Sequence, residues 1–267
     1  MKLSGPSLAY RPMASNTWWT TWLRQIAGNG TVPDYYSYHL EGSLAEADND
    51  PQYTNASLAA LLKQYALPER QVFVNEYAQK SEMVPGAYIW WISRLERYGF
   101  LAMLGNWLGG TQLHDLFGGL LTKTKDPRAY AATDYAASPG YPIYQYYNQN
   151  MTGVRIRTNG SADRWFDAYA TRGEDKVRIL AGVKLKAGTW SLAVRNLDAV
   201  GYPASGAVDV TTYSFEGSSI SQVAAAPTNR GSAAITYSDN ALVIPIRQTN
   251  QNTGWAFEFP VKTKGKD

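Results

Sequence analysis

The chain has 267 residues, 45% apolar and 18% charged, which bounds it to one large folded domain or two modest ones and excludes a disordered chain. A net charge of +3, with no basic block carrying interleaved aromatics, argues against a nucleic-acid partner. The absence of cysteine excludes disulfides, thiolate metal sites and a cysteine nucleophile, and the two histidines, His39 and His114, lie too far apart in sequence to suggest a zinc cage.

Along the first 150 residues, short apolar runs alternate with helical periodicity. Residues 3–8 read as a strand, and 17–27 as a helix with Trp18, Trp22 and Ile26 on its apolar face. A strand over 35–40 and a helix over 53–65 follow, the latter with Leu58, Leu61, Leu62 and Tyr65 on one stripe. The next strand, 72–75, runs into Asn75-Glu76-Tyr77. A helix over 86–97, a strand over 100–104 leading to Gly105-Asn106-Trp107, and a helix over 141–150 complete this part. Four strand–helix units in series predict a parallel sheet with right-handed crossovers. Trp18, Trp19, Trp22, Trp90 and Trp91 are expected to pack in the interior.

Glu76 is the most informative residue of this part. A β-branched and aromatic run delivers it to the C-terminal tip of a buried parallel strand, where α/β barrels place their chemistry. Burying an ionised carboxylate without a partner is costly, so its presence calls for a catalytic role, or else for a structural ion pair or a helix cap.

After Met151 the rhythm changes to short alternating runs at 154–158, 165–171, 176–183, 188–196, 208–215, 233–237, 242–247 and 255–260, separated by Gly- and Asn-containing turns. Eight strands at this spacing predict a β-sandwich. The expected fold class is therefore α/β followed by all-β, with a first domain over 1–150 and a second over 151–267. No apolar run reaches the about 18 residues of a membrane span, and the start of this chain lacks the apolar core of a signal peptide. Four Asn-X-Ser/Thr triplets, at Asn29, Asn55, Asn150 and Asn159, lean toward a secreted origin. No nucleotide-binding glycine loop or metal-ligand cluster is present, so no cofactor and no metal is expected.

The series Gly5-Pro6-Ser7, Pro33-Asp34 with the strand ending Tyr38-His39, and Val74-Asn75-Glu76-Tyr77 resembles the second half of a clan A glycoside hydrolase. The stretch from Asp115 to Leu121 and the helix before Met151-Thr152-Gly153 sharpen the resemblance toward family 39. It covers the chain from Lys2 to about Gly153. The resemblance implies a partial (β/α)8 barrel, strands five to eight, followed by a β-sandwich accessory domain. It assigns Glu76 as the nucleophile of a retaining mechanism and His39 as a contact to sugar hydroxyls or to Glu76 itself. Tyr38, Asn75, Tyr77, Asn106 and Trp107, at or just past strand ends, are the further substrate-binding candidates. The family's acid/base, at the end of strand four, has no counterpart, so the chain is expected to be truncated and weakly active as given. Glu41, two residues beyond His39, is the better placed of two acids to replace it, yet reads as a solvated loop carboxylate.

The resemblance further implies a poly- or oligosaccharide substrate, no nucleic-acid or membrane partner, and an extracellular location for the full-length family form. Exposed half-barrel edges suggest a homodimer. Two other readings stand beside this one: a noncatalytic carbohydrate-binding pseudo-enzyme, and a β-sandwich acting as a protein-interaction or lectin-like module, with Trp165, Phe166 and Tyr169 as its clustered aromatics.

Overall fold

The computed structural model describes residues 1–41, 49–105, 119–126, 129 and 131–262. They fall into two compact units, Met1–Ser81 with Arg94–Gly119, and Glu82–Ser93 with Leu120–Asp267. The fold is mixed α/β, with several sheets and few helices.

The first unit is built from β1 (Ser4–Leu8), α1 (Thr17–Asn29), β2 (Tyr35–Leu40), α2 (Pro51–Gln64), β3 (Gln71–Tyr77), the end of α3 (Pro85–Tyr98) and β4 (Leu101–Leu104). Its four strands are parallel, in the order β1-β2-β3-β4. Helix α1 starts where the Asn16 side chain accepts from the backbone N–H groups of Trp18 and Trp19, and ends at Gly30 in the left-handed region, φ 66°. Helix α2 starts at Asp50, whose carboxylate accepts from Gln52 N, with Pro51 in the first turn.

The apolar face of α1 is Trp19, Leu23 and Ile26 rather than Trp18, Trp22 and Ile26. Trp18 is 68% exposed, and Trp22 is only half-buried. The buried set follows the i, i+4, i+7 stripe aimed at β2, where Trp19 meets Tyr38 edge-on at 5.9 Å and Trp22 meets Tyr36 at 6.1 Å. Tyr36, Tyr38 and Leu40 on β2 and Val72 and Val74 on β3 are accordingly buried. The opposite face of the sheet carries Ser37, which shares a 2.7 Å hydrogen bond with the bulged Ser7 of β1, and His39. On β4, Leu101 and Met103 are 45% and 58% exposed.

The second unit takes the first turns of α3, the short antiparallel pair β5 (Leu121–Lys123) and β6 (Tyr135–Ala137), helix α4 (Tyr141–Gln149), and eight further strands. These are β7 (Val154–Ile156), β8 (Phe166–Arg172), β9 (Lys176–Val183), β10 (Gly188–Arg195), β11 (Gly206–Phe215), β12 (Thr228–Tyr237), β13 (Ala241–Gln248) and β14 (Gly254–Pro260). Six form an antiparallel sheet in the order β12-β11-β14-β9-β8-β7, while β10 and β13 form a separate ribbon. Leu192, Val194, Leu242, Ile244 and Ile246 of the ribbon share one core with Ala168, Ile179, Val183, Phe257 and Phe259 of the sheet. The strict alternation of buried and exposed residues along β13 reflects burial on one face only. Trp90 and Trp91 are buried, as expected. Lys184 Nζ lies 4.5 and 4.6 Å from their ring centroids and 3.5 Å from Glu82 Oε1, and Trp91 Nε1 donates to Glu82 Oε2 at 2.9 Å.

Candidate functional site

The C-terminal ends of β2 and β3 bring together the polar cluster of the first unit. The strands run in register from Tyr35 opposite Gln71 to Tyr38 opposite Val74, and then His39 pairs with Glu76, so Asn75 is an extra residue in β3. Such a bulge re-aims the side chains around it. Because Glu76 stands opposite His39, and Tyr77 opposite Leu40, Glu76 shares the face of His39 while Tyr77 goes to the buried helix-facing side.

Asn75 Nδ2 lies 3.1 Å from His39 Nε2. With the amide donating there, the imidazole N–H sits on Nδ1. That nitrogen is 3.4 Å from Oε2 of Glu76 and 3.4 Å from Oε2 of Glu41. The two carboxyls differ in environment: the Glu76 side chain is 48% exposed, whereas that of Glu41 is 15% exposed. Gln79 Nε2 donates to the Glu41 carbonyl at 3.2 Å, which fixes the chain just after β2. Burial, followed by the hydrogen bond to Glu76 and its charge, pushes the Glu41 carboxyl up to about 8. Glu41 is thus not the solvated loop carboxylate that its position after a strand suggests. Its carboxyl folds back onto Glu76 and His39 instead.

The structure brings His39, Asn75 and Glu76 together and adds Glu41. Tyr38 is not among them: it is fully buried on the helix-facing side of β2 against Trp19, and burial pushes its phenol up. Tyr77 is 4% exposed, for the reason of register given above. Both were expected at the mouth because they flank His39 and Glu76 in sequence, but strand alternation sends neighbours to opposite faces. Asn106 and Trp107 lie outside the described residues. The ligating atoms of His39, Glu41 and Glu76 lie within 4.8 Å of one another, close enough to converge on a cation. In the structure His39 Nδ1, 3.4 Å from a carboxyl oxygen of each glutamate, links the three groups.

Such a cluster offers one carboxyl held in protonated form beside another that reaches solvent. A pair of this kind supports nucleophilic attack or proton transfer at a bound substrate.

No family model matches the chain, and no curated relative does. Solved structures do. The protein N2152 from Neocallimastix frontalis superposes with a TM-score of 0.76 at 21% identity, covering 97% of this chain and 60% of that one. A glucosidase from Croceicoccus marinus matches with a TM-score of 0.57 at 13% identity, over 98% of this chain and 61% of that one. The family 39 glycoside hydrolase from Xanthomonas axonopodis pv. citri matches with a TM-score of 0.55 at 12% identity, over 98% and 60%. The fold is glycoside hydrolase-like. The chain spans about three-fifths of the length of these structures, and family 39 is one of several glycoside hydrolase families among the matches.

Of the three second-unit aromatics expected on a sugar-facing surface, Trp165 is half-buried, with Lys186 Nζ 5.0 Å from its ring centroid, and the other two are covered. Phe166 and Tyr169 are buried, Phe166 stacked on Trp190 at 5.7 Å and Tyr169 against Tyr147 at 5.4 Å. Glu41 was the functional candidate that sequence reasoning undervalued. The available signal was its distance of two residues from His39, just past a strand end.

Proposed function

We propose that this chain is the C-terminal part of a family 39-like glycoside hydrolase that cleaves O-glycosidic bonds of poly- or oligosaccharides by a retaining mechanism, weakly active as given. Residues 1–150 supply strands five to eight of a (β/α)8 barrel and 151–267 an accessory β-sandwich. Glu76 is the nucleophile, attacking the anomeric carbon to form a glycosyl-enzyme ester. His39 and Asn75 orient it, and Asn106 and Trp107 contribute to the sugar site. The observation that carries this reading is the position of Glu76, half-exposed at the C-terminal end of a parallel strand and held by His39 at 3.4 Å, in a glycoside hydrolase-like fold.

The test avoids the need for an acid catalyst. Dinitrophenyl 2-deoxy-2-fluoroglycosides of xylose, arabinose and glucose carry a leaving group that departs without protonation. Peptide mass spectrometry is expected to find the sugar esterified to Glu76, and no label in Glu76→Gln. Label on another side chain, or none from any glycoside, overturns the assignment.

One observation favours a second reading, a noncatalytic carbohydrate-binding protein. The half-buried Glu41 carboxyl crowds the very carboxylate that would attack, both standing 3.4 Å from His39 Nδ1. Saturable glycan binding without ester formation separates the two. This reading carries with it an extracellular location for the full-length family form. No described helix is long and apolar enough to cross a membrane. Leu101 and Met103 on β4, with Leu3 ahead of β1, mark the sheet edges through which two copies would pair.

A further inference from the structure

Proton bookkeeping around His39 identifies a role for Glu41. The Asn75 amide occupies Nε2, so the ring has one N–H, on Nδ1, to offer two carboxyl groups that stand at equal distances of 3.4 Å. One oxygen of Glu41 and one of Glu76 lie within 4.8 Å of each other beside that single N–H, so two ionised carboxylates would repel and a proton on one of them relieves the repulsion. Glu41 Oε1 is buried without a hydrogen-bond partner, whereas Glu76 reaches solvent. An ionised Glu41 would place a charge with one bare oxygen in the interior, next to a second negative charge. The proton therefore belongs on Glu41 and the charge on Glu76.

We infer that Glu41 and Glu76 form a carboxyl pair holding a single proton, with Glu41 as the positioning residue that donates to Glu76 and keeps it as the charged member at the end of β3. The inference deepens the glycosidase reading and rests on it for its chemical consequence, though not for the pair itself. In this pair Glu41 faces both Glu76 and the His39 ring. Its work is to orient the attacking oxygen. Among the described residues, the titratable groups facing Glu41 are His39 from β2 and Glu76 from β3, and the neutral Gln79 meets its carbonyl. Loss of the shared proton at alkaline pH turns a donor–acceptor pair into two repelling charges, and the orientation is lost with it.

The experiment is a carboxyl-carbon NMR titration of the full chain labelled at glutamate. One glutamate is expected to titrate far above the ordinary carboxylate range, and that step is expected to vanish in Glu41→Gln. In Glu76→Gln it should fall back toward the ordinary range, since the neighbouring charge is gone. If every glutamate of the wild-type chain titrates in the ordinary acidic range, or the alkaline step survives Glu41→Gln, the pair does not exist. The wild-type measurement alone decides this even where a variant fails to fold. Fluoroglycoside labelling is read separately. An alkaline step without ester on Glu76 keeps the pair and removes the nucleophile, whereas ester formation with no alkaline step does the reverse.

Discussion

Asn75 and His39 meet across 3.1 Å from adjacent parallel strands, and this bond decides which imidazole nitrogen faces the carboxyls. Asn75 reaches the ring because it is the extra residue of the β3 bulge. Asn75→Ala frees the ring to adopt the other tautomer, with Nδ1 bare toward Glu76. Ester formation on Glu76 is expected to slow by roughly tenfold, the equivalent of about 1.4 kcal/mol. An unchanged rate in a folded variant would remove Asn75 from the site.

The Glu41 carboxyl is raised from its ordinary 4.5 to about 8, and the sign of the consequence follows from proton counting. Between those values the folded chain keeps a proton that the unfolded chain has lost. The unfolded state then binds fewer protons, so stability falls as pH rises through that window. Urea denaturation across it should show a declining midpoint, and Glu41→Gln should flatten the decline. A wild-type midpoint that rises over the same window would contradict the raised value.

Glu82 and Lys184 are both almost fully buried, with the ammonium over two indole rings. Removing one charge leaves the other stranded in the interior. Glu82→Ala is expected to cost about 3–5 kcal/mol, and Glu82→Leu combined with Lys184→Met much less. Chemical denaturation of the single and double variants checks the difference. Equal losses in both would show that the pair is not held as one unit.

Leu101 and Met103 expose large apolar side chains on β4, an edge strand of the parallel sheet. Parallel sheets are ordinarily covered on both faces. The chain is expected to be dimeric by light scattering, and Met103→Lys to shift it toward monomer. A monomer at every concentration, with wild-type sequence, would count against closure between two copies.

Most of the strands and helices were legible because alternation and helical spacing report burial directly. The alternating run 241–248 is buried on one face and was read within a residue or two. The edge strand β12 was only half seen, since 228–234 is exposed throughout and carries no alternation. The pair β5 and β6, three residues each, is too short to leave a pattern. In the site, Glu76 was legible as an acid ending an apolar run, and His39 as its neighbour on the preceding strand. Tyr38 and Tyr77 flank the cluster in sequence but stand on the buried face of the sheet, because strand side chains alternate with a two-residue period. Glu41 was undervalued because a residue past a strand end shows nothing in sequence of the direction in which its side chain folds.

Helix α3 is divided between the two units: Glu82–Ser93 clusters with the strand-rich remainder, and the residues from Arg94 onward with the parallel sheet. The polypeptide thus enters its later unit early, leaves it, and returns. No single scissile peptide separates the two intact. A recombinant piece beginning at residue 151 would forfeit Trp90 and Trp91, leaving Lys184 without its indole cage and Glu82. Such a piece should bind hydrophobic dye and melt well below the parent chain. Anyone wishing to study the parallel sheet and its companion independently would have to re-route the backbone by circular permutation rather than cut it.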